Sequence, residues 1–254
     1  MTPSTPEAPA AQPAYRPLPT GPSPRWRRAA EGLRWMRYAT MVSLGLHVVG
    51  AVARVAAMAS IADGRSRYTP VMALAGYVGG VDILANAVLG AGLWRFGELP
   101  VATGASKSAR ASFWFFVAAM GVSLLSAWGL APLARAAGHN TTVLTATFLL
   151  RAVATIALHA AYLVLLVRAL AVAMRSVGAT LPRWAPQAVA AFIGWKVLAI
   201  PAQSVLLMFQ RGGVSYPWLA ISLAADAAFA VALVSLLRIA EPVLARQESP
   251  ESMG

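Results

Sequence analysis

The run from Val143 to Val167, VLTATFLLRAVATIALHAAYLVLLV, is long and apolar enough to cross a bilayer, yet it holds Arg151 and His159. A charge at that depth costs at least ~2.5–3.5 kcal/mol, so it normally faces a partner or a wet cavity. Five further runs of the same kind accompany it: Tyr38–Ile61, Val71–Trp94, Ser112–Leu133, Gln187–Phe209 and Tyr216–Arg238. A ~30 Å hydrocarbon core needs roughly 20 such residues per helix. The expected fold is therefore all-α: a polytopic integral membrane bundle of six transmembrane helices with short loops, covering residues 38–240.

Composition supports this class. The chain is 58% hydrophobic and only 12% charged, which is unusual for a soluble domain. There is no cysteine, which excludes disulfides, Cys-ligated metals, thiol catalysis and Cys lipidation. The net charge of +12 comes from basic residues that lie mostly beside the apolar runs. The expected partner is thus a bilayer with anionic headgroups and not nucleic acid. The excess of Arg over Lys, together with abundant Ala, is associated with GC-rich bacterial genomes.

Residues 1–24 are rich in Pro, Ala, Ser and Thr and read as a disordered tail. No cleavable signal peptide is evident. Residues 25–37 mix Arg with Trp and Leu and read as a basic interfacial helix, and 241–254 as a short cytoplasmic tail. Counting Lys and Arg outside the runs or at their ends puts fourteen on the side of both termini and four on the other. The positive-inside rule then makes both termini cytoplasmic and places the chain in a bacterial inner membrane. Most tryptophans, including Trp94, Trp114 and Trp184, fall near run ends, where interfacial belts form. Gly76 and Gly80, and the series Ala220, Ala224, Ala228 and Ala232, have the spacing of close helix contacts.

Nine polar residues interrupt the runs: His47, Arg54, Asp82, Asn86, Arg151, His159, Lys196, Gln203 and Asp226. Within each helix they share a face. Measured from the cytoplasmic run ends, they form a His/Lys/Asn layer, a carboxylate layer and an Arg layer. Such a set can pass or sense an ion or small solute, with Asp and His as relay groups and Arg or Lys as counter-charges. It can equally be interhelical glue in a non-transporting scaffold or assembly subunit. Haem ligation by His47 and His159 is a remote alternative, and a metal site drawn from His47, His159, Asp82 and Asp226 is possible by ligand type. No cofactor is expected. No hydrolase, metalloprotease or phosphate-loop motif occurs, so no enzymatic activity is expected either.

One specific pairing follows from side-chain direction. Cα–Cβ bonds tilt toward a helix's own N-terminus. Arg54 should then lean toward Asp82, while Lys196 should lean away from the carboxylates.

Overall fold

The computed structural model describes residues 24–62, 70–136, 141–209 and 216–248. Among them are six α-helices and no strand: α1 (Pro24–Ala62), α2 (Pro70–Phe96), α3 (Ala105–Ala136), α4 (Thr141–Ser176), α5 (Trp184–Phe209) and α6 (Tyr216–Ala245). Four of them carry described stretches long and apolar enough to cross a membrane: Pro24–Ala53, Ala105–Leu125, Leu149–Ser176 and Ala220–Ala245. Consecutive helices pack against each other, and α6 returns to α1. Leu84, Leu125, Leu150 and Leu198 are each at least 66% exposed on the outside of this ring, the surface that lipid covers in a membrane protein.

The core sits at one end. Leu33 and Met36 of α1, Leu93 and Phe96 of α2, Leu163 and Leu170 of α4, and Leu237 and Leu244 of α6 are almost completely buried there. The loops between α2 and α3 and between α4 and α5 close the same end. Leu99 is buried in the first of these. In the second, α4 ends in a Schellman turn: Ala179 N–H donates to the Met174 carbonyl at 2.9 Å and Gly178 N–H to Arg175 at 3.1 Å. Gly178 adopts φ +73°, which only glycine takes without strain.

Two boundaries differ from the sequence expectation. Residues 25–37 are not a separate interfacial helix but the first turns of a continuous α1. No Pro or Gly breaks the chain at Arg37–Tyr38. The stripe Ala29, Leu33, Met36 and Thr40 follows helical spacing, so this segment buries its own apolar face in the bundle. Likewise, residues 241–245 belong to α6, and Glu241 and Leu244 are buried. A charge at Arg238 ends an apolar run but not a helix. Residues 1–23 and 249–254 lie outside the described residues.

The small-residue expectations also change. Glycines do bring helices together, but these are Gly32 and Gly92. A Cβ on Gly32 would lie 2.6 Å from the Gly92 carbonyl oxygen, and one on Gly92 would lie 2.7 Å from that of Gly32. At Gly80 a Cβ would meet nothing within 4 Å, and the side-chain position of residue 76 lies outside the described residues. Ala220, Ala224 and Ala228 face outward. Four-residue spacing places residues on one face without saying what that face meets.

Candidate functional site

Away from the packed end, the described residues include fewer buried large side chains: Ala51, Ala53, Ala85 and Ala199 are buried, while the polar positions are more accessible. Asp82, Asn86, Arg151, His159, Lys196 and Asp226 all lie on half-buried positions, while His47 is exposed. The structure groups them into separate pairs and small clusters.

The first cluster joins α1 to α2. Ser43 Oγ donates to Asp82 Oδ1 at 2.6 Å, and Asn86 Nδ2 donates to Asp82 Oδ2 at 3.2 Å and to the Asp82 carbonyl at 2.9 Å. His47 Nδ1 lies 3.9 Å from Asp82 Oδ1 and 2.7 Å from the Ser43 carbonyl. A carbonyl only accepts, so Nδ1 carries the proton and Nε2 of the neutral ring is left as an acceptor. Ser43 was absent from the sequence set. Its signal was its place one turn before His47 on the same face.

The second joins α5 to α6. Lys196 Nζ and Asp226 Oδ1 form an ion pair at 2.6 Å, with side chains 35% and 32% exposed. Phe192 stacks on Phe229 with centroids 3.9 Å apart one turn nearer the packed end, and Lys196 lies 5.1 Å from the Phe192 ring. The expectation that Lys196 leans away from the carboxylates is corrected. The stacked rings hold residues 196 and 226 level, and a flexible four-carbon stem outreaches the tilt of its Cβ.

His159 belongs to α4. Its Nδ1 donates to the Thr155 carbonyl at 2.8 Å, which again leaves Nε2 as the acceptor in the neutral ring. The ring meets Tyr162 edge-on at 5.6 Å. Tyr162 packs against Phe116 of α3, and its carbonyl accepts from Ser112 Oγ at 2.8 Å. Among the described residues no three His, Asp or Glu side chains come together as a metal site. The four-residue set of His47, Asp82, His159 and Asp226 is divided: Asp82 is held between α1 and α2, and Asp226 by Lys196.

The side chains of Arg54 and Gln203 lie outside the described residues. The register of α1 on α2 nevertheless bears on the proposed Arg54–Asp82 pair. Glu31 opposes Arg95, Gly32 opposes Gly92 and Ser43 opposes Asp82. Arg54 is eleven residues past Ser43 in the same helix, or ~16 Å along its axis. The Arg54–Asp82 pairing itself lies outside the described residues, and the described partners of Asp82 are Ser43, His47 and Asn86.

A charged belt at the packed end was not singled out from the sequence. Glu241 of α6 pairs with Arg34 at 2.7 Å and Arg37 at 2.8 Å, both on α1. Glu31 pairs with Arg95 at 2.7 Å, and Glu98 with Arg28 at 3.3 Å. The Arg95 guanidinium also lies 4.1 Å from the Trp35 ring. Comparison with protein families, curated proteins and solved structures returned no match for this chain.

Proposed function

We propose that this chain is a six-span inner-membrane protein, with both termini cytoplasmic, whose intramembrane polar residues bind an ion or small solute for passage or sensing. The Lys196–Asp226 pair carries the reading. Both side chains are about one-third accessible, and inside a bilayer that exposed third faces either lipid, at high cost, or a wet cavity. The packed end lies on the cytoplasmic side in this topology, so a solute would reach the pair from the opposite side. His47 and His159 offer Nε2 as proton acceptors, and Asp82 and Asp226 supply negative charge.

A non-transporting scaffold is the second reading. It is favoured by Asp82, whose two carboxylate oxygens already receive Ser43 and Asn86. Asp82→Asn and Asp226→Asn separate the two. For a solute site, both variants purify folded and lose ion- or proton-linked flux, or solute binding, in proteoliposomes. For a scaffold, both lower thermal stability in detergent, and the wild type shows neither flux nor binding.

Topology has its own test. Reporter fusions after Gly138 and Gly212 should read external, and fusions after Ser106 and Gly178 internal. One reversed sign removes the six-span arrangement.

A further inference from the structure

Between α2 and α3 runs an open cavity of about 620 Å³, within the size range of ligand pockets. Its walls are two helical stripes: Ile83, Ala87 and Ala91 on α2, and Phe113, Val117 and Leu124 on α3. From Phe113 to Leu124 the described part of the slot runs ~16 Å along α3.

Both stripes end in arginine at the packed end. Arg95 follows Ala91 by one turn and lines the cavity. Arg110 precedes Phe113 by one turn and is held against the end of α2, its Nε donating to the Gly97 carbonyl at 3.3 Å. Its terminal nitrogens have no partner among the described residues. Near this mouth Arg27 and Arg95 pair with Glu31 and Arg28 pairs with Glu98, so three arginines meet two glutamates, and Arg110 adds a further positive charge. Trp94 and Trp114 are 50% and 62% exposed at the same level, where an interfacial belt belongs.

We infer that this groove is a specific site for one anionic glycerophospholipid of the surrounding leaflet. An acyl chain lies between the two apolar stripes, and the phosphate sits at the mouth against Arg110 and Arg95. Charge complementarity and the interfacial level of Trp94 and Trp114 select this occupant. Among the described lining residues the cation stands at the packed end and the rest of the wall is almost wholly apolar, the distribution of a lipid with its phosphate at that end and its acyl chain along the stripes. The inference rests on the membrane reading, which recovery of the chain in a carbonate-washed membrane fraction tests by itself.

The lipid site is tested by native mass spectrometry of purified full-length protein given equal amounts of phosphatidylglycerol and phosphatidylcholine with identical acyl chains. The wild type should retain one phosphatidylglycerol per chain, favoured about tenfold over phosphatidylcholine, as a little over one kcal/mol of headgroup attraction gives. Ala91→Trp, at an exposed position on the groove wall, should abolish retention. Val117→Trp provides a second filling variant should the first not fold. Arg110→Gln should keep a bound lipid but bring the headgroup ratio toward one. The site is overturned by a wild type without retained lipid, by equal retention in folded filling variants, by absence of headgroup preference, or by a bound peptide in place of lipid.

Discussion

Gly92→Val is expected to lower stability by ~3 kcal/mol or more, the upper end of what overpacking costs. A Cβ at residue 92 would lie 2.7 Å from the Gly32 carbonyl oxygen and 3.0 Å from the Met36 backbone nitrogen. Neither atom can swing aside as a side-chain tip can, so α1 and α2 must separate. Their separation would also pull apart the Arg95–Glu31 pair and the Trp35 contact beside it. Thermal unfolding in detergent measures the effect. Gly80→Ala is the control, because its Cβ meets nothing within 4 Å. It should be neutral or slightly stabilising, since alanine favours helix over glycine by up to ~1 kcal/mol. Equal shifts at the two positions would show that the close crossing does not hold the helices together.

Glu241→Ala should cost on the order of 2–4 kcal/mol, near the value for removing one partner of a buried ion pair. Its carboxylate side chain is 10% exposed and pairs with two arginines of α1. Arg34 is 52% exposed and can turn to water, so its share is small. Arg37 is 20% exposed and cannot escape as easily, and most of the loss lies there. A double-mutant cycle with Arg37→Met isolates the pair: Glu241→Met alone should destabilise, and the double variant should recover much of the loss. Simple additivity would refute a coupled pair. Because this pair links the first helix to the last, its loss should also expose the start of α1 to proteolysis.

The amino-acid sequence by itself determined that the chain is helical and apolar enough for a membrane. Run length, the absence of cysteine and the period of the apolar residues are local properties, and they suffice for that. It also identified Asp82, Lys196 and Asp226 as exceptional, because a charge within an apolar run is costly wherever the run packs. Which charges meet was decided by tertiary register. Side-chain direction alone leans Arg54 toward Asp82. The structure sets Ser43 opposite Asp82. This register arises because α1 continues down to Pro24 and is locked there by the Gly32–Gly92 crossing. Neither glycine has a partner four residues away in its own helix, so no spacing rule marks the pair. The same holds for Lys196 and Asp226, made level by the Phe192–Phe229 stack, and for Glu241, which reads as tail until α6 is seen to continue past Arg238. Apolar patterning says that a helix buries a face. Which residue of a neighbour that face meets depends on a sliding register, which only close contacts between helices can fix.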